Sequence, residues 1–231
     1  MQRREFVAFC VASAAAAATQ AVADDAQPRR YSRTRLVGQG GAPLLAKAVP
    51  VNRNLIFHYP YAATPCFLLN LGRPAAPSAQ LKTADAKAYE WHGGVCENHS
   101  IVAYSAICAH KLTYPTREIS FISFREEKSA RNKFGAVIHC CSEHSQYDPA
   151  EGGKVVAGPA PQPLAAILLE HDPRTDELYA VGTLGGELFN QFFEKYAFRL
   201  EMELGRNARE AVNGTSIVQP LENYCRQQVK C

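Results

Sequence analysis

Two short runs of soft ligands stand out in the 231-residue sequence: Cys108-Ala109-His110 and Cys141-Ser142-Glu143-His144. Each follows an apolar, strand-like stretch, Ala103 to Ile107 in the first case and Val137-Ile138 in the second. Two thiolates and two imidazoles offered from neighbouring loops suit either zinc or a mixed-ligand iron–sulfur cluster. Zinc sites usually pair like with like, as C-x2-4-C and H-x3-5-H. A mixed Cys/His pair repeated twice instead matches a [2Fe–2S] cluster in which each loop gives its Cys to one iron and its His to the other. Cys108, His110, Cys141 and His144 are therefore the candidate cluster and metal ligands, with a zinc-stabilised, non-redox binding module as the rival reading. The sequence points to no catalytic residue, so the chain reads as an electron-transfer subunit rather than a catalyst alone.

These ligands need a rigid frame, and the sequence around them predicts one. From Asn54 onward, short apolar runs recur: Leu55-Ile56-Phe57, Cys66 to Leu69, Ile101 to Tyr104, Ile119 to Phe124, Ala136 to Ile138, Ala165 to Leu169 and Leu178 to Val181. Each has strand length and is bounded by Gly, Pro, Asn or Asp, which predicts a mostly β, antiparallel domain. Asp172-Pro173-Arg174-Thr175-Asp176 reads as a hairpin loop. After Gly185, Leu188, Phe189, Phe192, Phe193, Tyr196 and Leu200 recur at helical spacing, predicting one C-terminal amphipathic helix that ends by Gly205. The tail from Asn207 to Cys231 shows no strong periodicity.

Composition is ordinary for a globular chain, at 47% hydrophobic and 20% charged residues, and a net charge of +3 implies no nucleic-acid partner. The first 23 residues read as an export signal: Arg3-Arg4, the apolar run Val7 to Ala18, and Ala21-Val22-Ala23 as a small-x-small cleavage pattern. The twin arginine indicates the route that exports folded proteins, hence a periplasmic location, with membrane attachment only if the segment is retained. The expected division is a signal peptide at 1–23, a linker and entry strand at 24–50, a cluster domain at 51–187, and a helix and tail at 188–231. In an oxidising compartment each remaining cysteine must be bridged, metal-bound or buried. Cys225 and Cys231 could bridge each other or reach back to Cys66 or Cys96, and spacing does not choose among these pairings.

With these motifs in place, the chain resembles the Rieske iron–sulfur proteins, and within that family it is most similar to the small subunit of bacterial arsenite oxidase. The likeness runs through the twin-arginine leader, Phe57-His58-Tyr59-Pro60, Thr64 to Gly72, Asn98 to Ser105, Cys108 to Lys111, Tyr147-Asp148-Pro149 with Gly152-Gly153, and Leu164 to Gly182. It covers about residues 1 to 187. The resemblance implies a Rieske-type antiparallel β-sandwich with a small cluster-binding subdomain. It also implies one-electron transfer between a larger oxidoreductase subunit and a cytochrome c or copper-protein acceptor. The Rieske subunit of a quinol:cytochrome c reductase is the alternative. Histidine ligation places the potential in the range of about −150 to +300 mV.

The departures from the family pattern are equally informative. Many members join the two cluster loops by a disulfide whose positions here hold Thr113 and Glu143, so that bridge is absent. The interval between the motifs is longer than usual, with the charged stretch Phe121 to Lys133 as the insertion, read either as a docking surface or as a solvated hairpin. The ligand register is also open at one position. Counting back from the aromatic Tyr147 selects Cys140 and places Glu143 where an imidazole belongs, whereas the C-x2-H spacing selects Cys141. Ser145 and Tyr147 lie where they could donate hydrogen bonds to cluster sulfur, and Tyr147 could equally be a loop-packing aromatic.

Overall fold

The computed structural model describes residues 26–231, and the export-signal expectation at 1–23 lies outside them. In chain order the strands are β1 (Arg29–Val37), β2 (Leu55–His58), β3 (Pro65–Asn70), β4 (Ala79–Lys82), β5 (Ala88–Trp91) and β6 (Ile101–Ser105). They continue with β7 (Ile119–Ser120), β8 (Ile122–Arg125), β9 (Val137–Cys140), β10 (Ser145–Asp148) and β11 (Lys154–Ala157). The series is completed by β12 (Ala166–Asp172), β13 (Glu177–Leu184), β14 (Gly214–Ile217), β15 (Gln219–Pro220) and β16 (Gln227–Gln228). Helices α1 (Phe189–Lys195), α2 (Ala197–Leu204) and α3 (Leu221–Tyr224) all follow β13 in sequence. The protein is thus mostly β with short C-terminal helices, in line with its run pattern. Among the described residues no helix is long and apolar enough to cross a membrane.

The larger sheet has eight strands in the order β14-β1-β13-β12-β6-β3-β2-β15, and the smaller has four in the order β11-β10-β9-β8. Pairing is antiparallel throughout except for β1 with β14 and, in a separate ladder, β7 with β16. Burial follows position in the fold. All of β6 and the first five residues of β3 are buried, because these central strands are covered on both faces, while β5 alternates between exposed and buried residues. The larger sheet curls until its edges approach each other: the Ser216 hydroxyl accepts from the His58 amide (3.2 Å) and donates to the His58 carbonyl (2.8 Å). Leu36, Phe57, Leu68, Ala103, Ile167 and Leu178 fill the inside of the curl. On the other face, Ile56, Phe67, Val102 and Tyr104 pack against Ile122, Phe124, Ile138 and Tyr147 of the smaller sheet. This second core seats the small sheet, and with it the hairpin bearing His144, on the large one.

The C-terminal region differs from its expected form. Instead of one helix there are two, α1 and α2, which meet at Tyr196, where the backbone leaves helical dihedrals (φ −108°, ψ 15°) and the ring lies 4.8 Å from that of Tyr114. The tail, featureless by periodicity, supplies β14, β15 and β16. Strands of two to four residues are too short for alternation to register, yet each pairs with a strand from an earlier part of the chain.

Candidate metal centre

The first loop leaves β6 and turns back tightly through Cys108. The Cys108 amide bonds the Thr113 carbonyl (2.8 Å), the Leu112 amide bonds the Cys108 carbonyl (2.9 Å), and Leu112 adopts a left-handed φ of 60°. Ile107, Leu112 and Tyr114 on either side of the ligand motif pack against Phe189, Phe192, Phe193 and Leu200 of the helical unit. Tyr114 and Phe192 meet edge to face at 4.8 Å, a favoured aromatic geometry. The Lys195 ammonium donates to the Lys111 carbonyl at 2.5 Å, next to His110. The aromatic stripe read from helical spacing therefore holds the first ligand loop against the body of the protein.

The second loop is the turn of the β9–β10 hairpin, in which Cys140 faces Ser145 across the ladder and residues 141–144 form the connection. Side chains alternate along β9. Ile138 and Cys140 enter the core shared with Cys108, while His139 and Cys141 face the C-terminal tail. The two cysteines that the open register offered are placed on opposite sides of the strand. Cys141 is disulfide-bonded to Cys231, with 5.7 Å between their Cα atoms, and a sulfur in that bond is no thiolate ligand. Cys140 is the residue brought to Cys108. The same bond answers the pairing question for Cys231, and among the described residues Cys66, Cys96 and Cys225 remain thiols.

Cys108 and Cys140 are both buried and lie in the same core. The neighbouring Cys140 thiol pushes the Cys108 thiol down, against the effect of burial and with further help from Tyr147, while Cys108 and burial push the Cys140 thiol up. Two thiols packed in this way can both ionise only with positive charge between them. Tyr147, fully buried, ties the loops together: its hydroxyl lies 3.2 Å from the Cys108 sulfur and accepts from the Ala109 amide at 3.1 Å. It is therefore both a packing aromatic and a hydrogen-bond partner of sulfur, the two roles the sequence left open.

The two ligand loops also carry polar atoms without a hydrogen-bond partner. His110 Nδ1, His144 Nδ1 and Ser145 Oγ are all buried and without a hydrogen-bond partner. Buried polar groups are normally hydrogen-bonded, so unpartnered imidazole nitrogens on both loops fit a bound group. The far nitrogen of His144 is engaged, since Nε2 lies 2.7 Å from the Arg131 guanidinium. Arg131 belongs to the charged insertion, whose first part is the edge strand β8 and whose turn is pinned by Gln146 donating to the Arg131 carbonyl (2.6 Å). The insertion thus contacts the second loop as well as facing solvent.

One contributor escaped the sequence reading. Gly158, with φ +88°, runs so close to the second loop that a Cβ there would sit 2.5 Å from the His144 carbonyl oxygen and from Ser145 Cα. Gly158-Pro159 looks like an ordinary turn signal, and only the folded geometry shows it bracing the hairpin tip.

No family model matches the chain. Among solved structures, the soluble domain of the Rieske protein II (soxF) from Sulfolobus acidocaldarius is similar, at 26% identity over 68% of this chain and 82% of that one, with a TM-score of 0.46.

Proposed function

We propose that the protein is a one-electron carrier built on a Rieske-type [2Fe–2S] cluster, with Cys108 and Cys140 holding one iron and His110 and His144 the other. The observation that carries this reading is the donor set itself: two buried cysteines in one core, one from each loop, and two imidazoles whose Nδ1 atoms are buried and unpartnered. Each loop contributes one sulfur and one nitrogen, as a cluster with two differently ligated irons requires. When bound, such a cluster accepts and releases a single electron at a potential well above that of all-cysteine clusters.

The residues around it have definable tasks. Tyr147 donates to the Cys108 sulfur and stabilises its negative charge, favouring the reduced state. Burial of both cysteines keeps water from the sulfurs, while His110 and His144 remain partly exposed and form the side from which a donor or acceptor can approach. The motif resemblance supports reading the chain as the electron-transfer subunit of a larger oxidoreductase of the arsenite oxidase kind, passing electrons to a cytochrome c or copper protein. The twin-arginine leader supports assigning it to the periplasm.

The test is iron and acid-labile sulfide analysis of the purified protein together with the EPR spectrum of its dithionite-reduced form. The expected result is iron and sulfide in equal amounts, a rhombic Rieske-type signal, and reversible electron exchange with a c-type cytochrome. Stoichiometric zinc in an EPR-silent protein would overturn the reading.

A further inference from the structure

The tail from Arg226 to Cys231 follows a defined path. The Arg226 and Gln227 amides donate to the Arg117 and Glu118 carbonyls (3.0 Å each), and the Val229 amide donates to Ser120 (2.8 Å). Between them β16 lies parallel to β7. The Arg125 guanidinium bonds the Val229 carbonyl, and the Ser129 hydroxyl donates to the Cys231 carbonyl at 3.0 Å. The tail is therefore laid along residues 117–129, the segment that runs from the first ligand loop to the second. It is then bonded through Cys231 to Cys141, the neighbour of Cys140. The Cys141 amide in turn donates to the Phe121 carbonyl at 2.6 Å, so backbone and disulfide fix the same residue from two sides. Cys231 sulfur packs against the buried His139 ring at 3.5 Å, which closes the face of β9 opposite Cys140.

We infer that the tail is a covalent strap: the Cys141–Cys231 disulfide locks the β9–β10 hairpin in its ligand-bearing form and governs how fast the cluster is lost. The lock joins residues 90 apart in sequence, so it constrains a long stretch of chain. Cys141 and Cys231 are positioning residues in this scheme, acting through Cys140 and His144. The inference rests on the cluster assignment above, but the strap itself can be read without a cluster.

The experiment uses the full-length holoprotein and compares the wild type with the double variant Cys141→Ser/Cys231→Ser, which leaves no new thiol beside Cys140. Two quantities are measured: the rate of visible bleaching in the presence of an iron chelator, and amide hydrogen exchange along the chain. The expected result is bleaching on the order of tenfold faster, with exchange rising in 117–125 and 139–148 but not in the central strands β3 and β6. Unchanged bleaching, or exchange that rises evenly over the whole protein, would overturn the inference. If the double variant does not fold, the folded wild type is treated with a phosphine. Two electrons then pass to the disulfide, water supplies two protons to the sulfurs, the phosphine leaves as its oxide, and the freed thiols are alkylated before the same two measurements. A wild type that contains no cluster removes the cluster assignment but not the strap, which the local exchange pattern then decides alone.

Discussion

The loop bearing Cys108 and His110 is held by a wall of side chains, with Ile107, Leu112 and Tyr114 packed on Phe189, Phe192, Phe193 and Leu200. The second loop anchors Cys140 in the shared core, but its turn, residues 141–144, is held differently. It is held by the Cys141–Cys231 disulfide, by the Cys141 amide on Phe121, by Arg131 on His144, and by Gly158 pressed against its tip. The contrast shows two ways of fixing ligands when no bond joins the loops directly. Apolar packing resists deformation in proportion to the area it keeps from water, whereas a few polar and covalent ties place individual atoms and fail one at a time. Tyr147 belongs to both systems, since it grows from the second hairpin and bonds sulfur and amide of the first loop.

The comparison can be broken from the packed side first. Phe192 is fully buried and touches Tyr114, Phe193 and Tyr196, so Phe192→Ala should destabilise the fold by about 3–5 kcal/mol in urea unfolding. It should loosen the first loop while leaving the Cys141–Cys231 bond intact.

A smaller effect belongs to the sheet from which both loops hang. His58 is largely buried beneath Tyr224, and burial, aided by the nearby Arg117 charge, holds its imidazole down at about 4 instead of 6.5. The folded protein resists protonating this ring, whereas the unfolded chain takes the proton below pH 6.5. Its contribution is therefore complete above pH 6.5 and is lost as pH falls from 6.5 towards 4, by up to about 3 kcal/mol. Urea unfolding of His58→Gln against the parent over this window should show a flatter stability–pH curve for the variant.

The smallest expected effect lies where the two systems meet. Tyr147→Phe removes one hydrogen bond to the Cys108 sulfur, worth about 1 kcal/mol, and should lower the midpoint potential by on the order of 50 mV with the ring packing unchanged. A potential that stays within a few millivolts would mean that Tyr147 matters only as packing.

Much of this arrangement was legible in the sequence because the signals are local. The Cys108-Ala109-His110 motif, His144, the strand-length runs that precede them, and the aromatic stripe from Leu188 to Leu200 all lie within windows where spacing reports geometry. The choice between Cys140 and Cys141 did not, because it depends on which face of β9 meets the core. The face is set by Phe67, Tyr104 and Cys108 on one side and by Cys231 on the other, all distant in sequence. The strap was hidden for the same reason: Gln227-Gln228 carries no hydrophobic pattern, and its strand exists only because β7 offers an edge. Arg131 read as one charge among several, and only the folded insertion turns it onto His144.

The central claim is that Cys140, not Cys141, completes a ligand set with Cys108, His110 and His144. It is tested most directly by iron content and EPR of Cys140→Ser and Cys141→Ser prepared side by side. The account predicts that Cys140→Ser contains no cluster, while Cys141→Ser is isolated with iron, sulfide and the parent signal and sheds them faster on exposure to chelator. A Cys140→Ser protein that keeps the parent signal, beside a Cys141→Ser protein that lacks iron, would contradict it.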